Sequence, residues 1–158
     1  MPTSPIPFPL AVLTSELSLP VQVAWLIPLY GFAGMLVSLP WAAGLFRRQA
    51  HRLAAYLNIL LTLLAFVHGS LILQEVFQSG PVDLAYPWLT LADLELDISF
   101  SLTLTNLVAL ELITGLSLLS QVYSLGYMDK EWALARFFAL LGFVDGAMSG
   151  VVLSESLF

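Results

Sequence analysis

Four stretches of this sequence are long and apolar enough to cross a lipid bilayer, and that restricts the possible folds more than anything else in it. A spanning helix needs roughly 20 mainly apolar residues. The first run extends over 20–46, with Gln22 and Ser38 as its clearly polar side chains and Pro28 and Pro40 as expected kinks. The second covers 53–77 and contains Asn58, His68, Gln74 and Glu75. The third covers 104–127 and is interrupted by Glu111; the fourth covers 133–153 and is interrupted by Asp145. Composition agrees with a chain whose solvent is lipid or a large membrane-embedded partner. Hydrophobic residues make up 59% and charged residues only 10%, against about a quarter charged in ordinary soluble domains. The expected class is an all-α membrane protein with four transmembrane helices.

Charge sets the expected orientation. All five Lys and Arg residues fall in two places, Arg47, Arg48 and Arg52 after the first run, then Lys130 and Arg136 around the start of the fourth. Residues 1–19 and the 78–103 connection contain none. The positive-inside rule therefore puts 47–52 and 128–136 in the cytoplasm, and 1–19 and 78–103 on the opposite face. So few basic groups exclude a nucleic-acid surface. The absence of cysteine excludes disulfide frameworks, Cys-based metal sites and a thiol nucleophile.

The two outer segments differ in kind. Pro2, Pro5, Pro7 and Pro9 remove helix amides from the start of the chain, and without a basic residue it lacks the positive n-region of a signal peptide. Residues 1–19 are read as an extended or interfacial lead-in. From Asp93 onward polar and apolar residues alternate strictly, which predicts a strand with Leu94, Leu96, Ile98, Phe100 and Leu102 on one face. Tyr86–Leu91 is expected to pair with it through a turn near Ala92 and Asp93, making a small hairpin between helices two and three. Its acidic face suits solvent or a partner contact.

In the fourth run, Gly142, Gly146 and Gly150 recur every four residues, a small-residue ridge that admits another helix closely. Trp25, Trp41, Trp88 and Trp132 suit interfacial anchoring. Lys130, Asp129 and Glu131 form a tight cytoplasmic turn. Arg136 suits snorkelling or a bond to a partner carbonyl or carboxylate.

No phosphate loop, dinucleotide fingerprint, zinc-ligand spacing or nucleophile motif is present. What remains is ionisable side chains within the apolar runs, which are costly in lipid and mark bundle interiors or water paths. They are His68, Glu111 and Asp145, each two to four residues from its helix midpoint by this count, so a shared polar layer on the outer side is expected. Glu111 can take and release a proton or hold an interhelical hydrogen bond. Thr114 and Gln121 lie within about 80° of it on a helical wheel and could hold water beside it. Asp145, with Ser149 one turn on, has the same two readings. His68 is either a satisfied core histidine or a relay. No second His or Cys accompanies it as a metal ligand.

At the third and fourth runs the sequence resembles a known family. The segments Leu112-Ile113-Thr114-Gly115-Leu116-Ser117-Leu118-Leu119, Tyr123-Ser124-Leu125-Gly126-Tyr127-Met128 and Arg136-Phe137-Phe138-Ala139 resemble the antiporter-like chain 5 of complex I. That family includes the F subunit of NAD(P)H-quinone oxidoreductases and Mrp-type antiporter subunits. Ile27-Pro28-Leu29-Tyr30-Gly31 looks like its first helix. Glu111-Leu112-Ile113-Thr114-Gly115, Asp129-Lys130-Glu131-Trp132-Ala133-Leu134-Ala135-Arg136 and Phe137-Phe138-Ala139-Leu140-Leu141-Gly142 are similar to the branch in cyanobacterial carbon dioxide uptake complexes. Two features depart from the pattern. Thr105-Asn106-Leu107 stands where many members begin the third helix with Asp-Gly. The family's principal intramembrane Glu and Lys would come after Phe158, so the chain reads as an N-terminal portion of a longer subunit.

The resemblance implies a membrane-arm subunit that couples quinone reduction to proton pumping, in the thylakoid membrane, within an NAD(P)H- or ferredoxin-quinone oxidoreductase. Quinone and iron–sulfur centres are expected in partner subunits and no cofactor in this chain. Expected partners are other membrane subunits, especially the neighbouring antiporter-like D subunit, and a cytosolic carbon dioxide-hydrating protein. Two rival roles stay open: a structural docking segment of the same complex, and a secondary cation antiporter component outside any redox complex.

Overall fold

A computed structural model of the chain describes residues 18–45, 51–91, 94–128 and 133–154; within 85–99 it describes the backbone alone. Among the described residues five helices and one hairpin follow in order: α1 (Leu19–Gln22), α2 (Leu26–Ala42), α3 (His51–Ser79), β1 (Val82–Leu91), β2 (Leu94–Leu102), α4 (Leu104–Tyr127) and α5 (Leu134–Leu153). Among the described residues, three helices are long and apolar enough to cross a membrane, over Arg52–Ser79, Leu104–Tyr127 and Leu134–Leu153. The fourth apolar helix, α2, has 17 residues and so measures about 26 Å, short of a hydrocarbon core of about 30 Å.

The single helix expected over 20–46 is therefore corrected to two pieces and an earlier stop. Pro28 has no amide hydrogen, so the Ala24 carbonyl cannot receive the usual bond from four residues on. It accepts instead from the Ile27 amide at 3.0 Å, in a tight turn over 23–25 that separates α1 from α2. At the far end Gly44 adopts a left-handed φ of 79°. The Leu45 amide bonds the Pro40 carbonyl at 2.9 Å and the Gly44 amide bonds that of Trp41 at 3.1 Å. This Schellman pattern closes the helix while the apolar run continues past it.

The hairpin lies between α3 and α4. Its strands are antiparallel, in register from Val82 opposite Leu102 to Leu91 opposite Leu94, with an irregularity between Pro87 and Leu89. Proline cannot donate to a ladder, which accounts for the slip beside it. The first strand starts at Val82 rather than at Tyr86, and the expected turn at Ala92 and Asp93 lies outside the described residues, as do residues 1–17. Ser101 donates to Asp83 Oδ1 across the strands at 2.9 Å, and an isolated bridge joins Phe100 to Ser154 after α5. Thr103 caps α4 by accepting from the Asn106 amide, while the Asn106 side chain donates to the Ser101 carbonyl at 3.1 Å. The Asn that departs from the family pattern thus ties the hairpin to α4.

The interior has two apolar ends. Near the hairpin, Ile27, Ile72, Val76, Leu102, Leu107 and Leu110 belong to one buried cluster. At the opposite end Ala55, Leu134 and Phe138 form a smaller one. Between them the buried residues turn polar, and Asn58, Thr62, Thr114, Ser117, Gln121, Asp145 and Ser149 all lie there.

Candidate functional site

The inward face of α4 sets up this polar level. Its buried positions are Leu107, Leu110, Thr114, Ser117, Gln121 and Ser124, spaced by three or four. That is one helical stripe, apolar near the hairpin and polar in the other half. The opposite face carries Leu112, Leu116, Leu119 and Tyr123, all exposed. The helix is thus polar inside and apolar outside, the arrangement that lipid rewards.

Asp145 of α5 projects into this stripe and is only 7% exposed. Gln121 Nε2 donates to its Oδ2 at 3.0 Å, and the Thr62 hydroxyl of α3 donates to the same oxygen at 3.3 Å. Ser117 is a further polar side chain beside the carboxyl. Gln121 Nε2 also lies 2.7 Å from Thr62 Oγ1 and 3.4 Å from Ser117 Oγ. Three helices thus each contribute to one buried carboxyl, and among the described residues the side chains that contact it are neutral. Ser149 turns away to donate to the Asp145 backbone carbonyl at 2.7 Å.

Nearer the lower apolar cluster, Asn58 of α3 donates to Ser38 Oγ of α2 at 3.3 Å and to the Phe138 carbonyl of α5 at 2.8 Å. Arg136 donates to the Ala42 carbonyl at 3.1 Å, fixing the start of α5 to the last turn of α2. A guanidinium at a helix C-terminus also meets the negative end of the helix dipole.

Glu111 and His68 stand at another level. A methyl group added to Gly69 would lie 2.7 Å from Glu111 Oε1, so the carboxyl rests on the α3 backbone. Ser70 is the polar side chain beside it, with its own hydroxyl donating to the Phe66 carbonyl at 3.0 Å. Glu111 Oε1 is buried with no donor on it among the described residues. His68 Nε2 lies 2.9 Å from the Pro20 carbonyl, and Tyr30 meets the ring edge-on at 6.0 Å. A carbonyl only accepts, so Nε2 carries hydrogen. This is a core histidine that pins α1 to α3.

The expected single layer is therefore split. Thr62, which holds Asp145, and Gly69, which faces Glu111, are seven residues apart on α3, or about 10.5 Å along its axis. Gln121, expected beside Glu111, belongs to Asp145 instead. Sequence reasoning passed over Thr62 and Ser117. The signal was there: Asn58 and Thr62 fall one turn apart on α3, and Thr114, Ser117, Gln121 and Ser124 share one face of α4.

The glycine ridge is used within the chain. Methyl groups added at Gly146 or Gly142 would lie 2.9 Å from the Phe32 amide and 2.8 Å from the Met35 amide of α2. One added at Gly31 of α2 would collide with the Gly146 backbone. The ridge that the sequence offered to a neighbouring helix is filled by α2. Among the described residues, no group of three or more His, Cys, Asp or Glu side chains could hold a metal ion.

A bundle of long apolar helices that encloses buried carboxyl and amide groups has the character of an integral-membrane helical segment, and its sequence is similar to that of a particular family. Residues 88–138, from the hairpin through α4 into α5, match the family described as NADH-ubiquinone oxidoreductase (complex I), chain 5 N-terminus. Over most of its length the chain is similar in sequence to NAD(P)H-quinone oxidoreductase subunit 5 proteins. It is 64% identical over 148 residues to "NAD(P)H-quinone oxidoreductase subunit 5, organellar chromatophore 2" of Paulinella chromatophora, covering 92% of this chain and 24% of that protein. It is 31% identical over 141 residues to the chloroplastic subunit 5 of Chlorokybus atmophyticus, covering 86% of this chain and 21% of the relative. With the Chara vulgaris chloroplastic protein it shares 28% over 143 residues, 87% of this chain and 21% of the relative. The chain thus spans less than a quarter of the length of these relatives.

Proposed function

We propose that this chain is part of the membrane arm of a complex I-like NAD(P)H-quinone oxidoreductase and contributes to proton translocation coupled to quinone reduction. The observation that carries the reading is the Asp145 carboxyl, buried between three helices and contacted by neutral side chains, in a homologue of subunit 5. Ionisable groups inside membrane bundles are retained against an insertion cost and mark proton or ion pathways. Glu111, resting on Gly69 nearer the hairpin, is the second proton-handling group. Redox centres, quinone and iron–sulfur alike, would belong to partner subunits.

The finer assignment is to the carbon dioxide uptake form of the complex, in a cyanobacterial thylakoid membrane. It rests on the wording of residues 111–115, 129–136 and 137–142. In that setting α2 is a fourth span, the hairpin faces the lumen, and Arg47, Arg48, Arg52 and Lys130 face the cytosol. The D-type antiporter-like subunit is the neighbour, with a carbon dioxide-hydrating protein on the cytosolic side.

Asp145→Asn and Glu111→Gln in the intact complex test the role. Each keeps the shape of the side chain and removes the titrating group. Proton translocation and carbon dioxide uptake should fall by about tenfold or more, with the amount of assembled complex unchanged. Unchanged pumping in both variants would sink the proton role. A docking role draws support from the exposed face of α4, where Leu112, Leu116 and Leu119 are each more than 60% exposed. It predicts that Leu116→Lys loses assembled complex while both carboxyl variants turn over normally. A cation antiporter acting outside any redox complex would not copurify with quinone-reducing subunits.

A further inference from the structure

Gln121 is fully buried, yet its amide is satisfied on one side only. Nε2 lies within hydrogen-bonding distance of Thr62, Asp145 and Ser117, whereas Oε1 is buried with no donor on it among the described residues. Asp145 Oδ2 meanwhile receives hydrogen from both Gln121 and Thr62. That arrangement suits a carboxylate, which only accepts. A carboxylic acid protonated on Oδ2 must also donate from that oxygen, and the amide nitrogen facing it cannot accept.

Half a turn of the amide resolves this without moving the backbone. It exchanges Oε1 and Nε2, which are nearly identical in size. The oxygen then faces the carboxyl and the Thr62 hydroxyl and accepts from both. We propose that Gln121 is a protonation-coupled switch for Asp145, turning its amide nitrogen to the carboxylate and its amide oxygen to the carboxylic acid. The four side chains then form a site for one exchangeable proton. The step moves one proton from hydronium in the aqueous phase to an Asp145 oxygen; one O–H bond of the hydronium breaks, leaving water, one forms on the carboxyl, and nothing is oxidised or reduced.

Among the described residues, charge elsewhere in the bundle does not take over this role. On α3, His68 is held by the Pro20 carbonyl, Glu75 accepts from Ser18, and Arg52 is exposed at the opposite end from Glu75. On α4, Glu111 rests on Gly69, and Tyr123 and Tyr127 are exposed. On α2, Tyr30 meets His68. On α5 itself Arg136 reaches the Ala42 carbonyl.

The inference rests on the proton-handling reading only in requiring that Asp145 change its protonation state. The test is pH-jump infrared difference spectroscopy on the intact protein in lipid vesicles, with glutamine labelled by carbon-13 at the side-chain carbonyl. An acid C=O band should appear together with a shift of one labelled amide band. Asp145→Asn should lose both, and Gln121→Met should lose the amide partner. An acid band that depends on Asp145 but appears with no moving amide band overturns the switch, as does the absence of any such acid band. The labelled native protein carries the test if Gln121→Met does not fold. Proton transport measured in parallel separates the two claims. A moving amide pair in a protein that pumps without Asp145 sinks only the transport role. A still amide in one that needs Asp145 sinks only the switch.

Discussion

Helix α5 meets α2 through glycine and meets α3 and α4 through polar side chains, and different physics holds each contact. On the α2 side Gly142 and Gly146 bring two backbones so close that methyl groups there would lie within about 3 Å of α2 amide nitrogens. In lipid, apolar side chains gain little by meeting each other, and close packing of small residues supplies the attraction instead. On the other side Asp145 is surrounded by Thr62, Ser117 and Gln121. There the gain comes from satisfying a group that lipid cannot satisfy. The first contact tolerates almost no added volume. The second tolerates volume better than it tolerates a lost donor.

The largest effect expected from breaking this contrast is that of Gly146→Leu. Its first side-chain carbon would lie 2.9 Å from the Phe32 amide and 3.0 Å from the Pro28 carbonyl, both backbone atoms that cannot step aside. Overpacking commonly costs about 1–3 kcal/mol, and a rigid backbone partner puts this case at about 3 kcal/mol or beyond. Reversible unfolding in mixed detergent micelles should show the loss. Because α2 occupies the ridge, failed assembly of this variant reports a broken chain and not a lost docking surface.

On the polar side Thr62→Val should be milder. Valine has nearly the same shape but withdraws the hydroxyl that donates to Asp145 and accepts from Gln121. Interhelical hydrogen bonds in membrane proteins are worth about 0.6 kcal/mol on average and about 1.7 at most. The same micelle assay should place the variant in that range. A cost comparable to that of Gly146→Leu would mean that the polar contact, and not the glycine contact, holds α5 in place.

Legibility in the sequence followed the same division. The long apolar runs revealed the helices, and strict alternation after Asp93 revealed β2, because each pattern reports a face turned to an apolar phase. The stop at Gly44 was hidden because hydrophobicity continued to Phe46 after the backbone had already turned. The ridge on α5 was plain, but its partner was not: Gly31 of α2 reads as an ordinary member of an apolar run until α5 lies against it, and Gly34 until the Asn58 side chain of α3 does. Asp145 and Glu111 stood out as charges in lipid, yet their depths did not. Counting from helix midpoints ignores how far one helix is displaced along another, and that displacement separates Thr62 from Gly69 as contact points. Gln121 illustrates the limit best. Its angle on the wheel fits either carboxyl, and the packing of α5 decides for Asp145.

The smallest effect sharpens the comparison most. Gly150 continues the four-residue spacing of Gly142 and Gly146, so the pattern alone predicts that all three are equally intolerant. The structure separates them, because a methyl group at Gly150 would meet Pro28 Cβ at 3.8 Å, ordinary van der Waals contact with a side chain. Gly150→Ala should therefore change stability by about 0.5 kcal/mol or less, and alanine's better helix propensity tilts the sign toward stabilisation. Gly146→Ala places the same carbon 2.9 Å from its nearest neighbour, about 0.9 Å closer and against backbone, and should be measurably worse in the same assay. Equal losses at the two positions would mean that α2 and α5 stay parallel and close up to the hairpin end. Unequal losses fix Gly142 and Gly146 as the point of closest approach, beside the turn of α5 that carries Asp145.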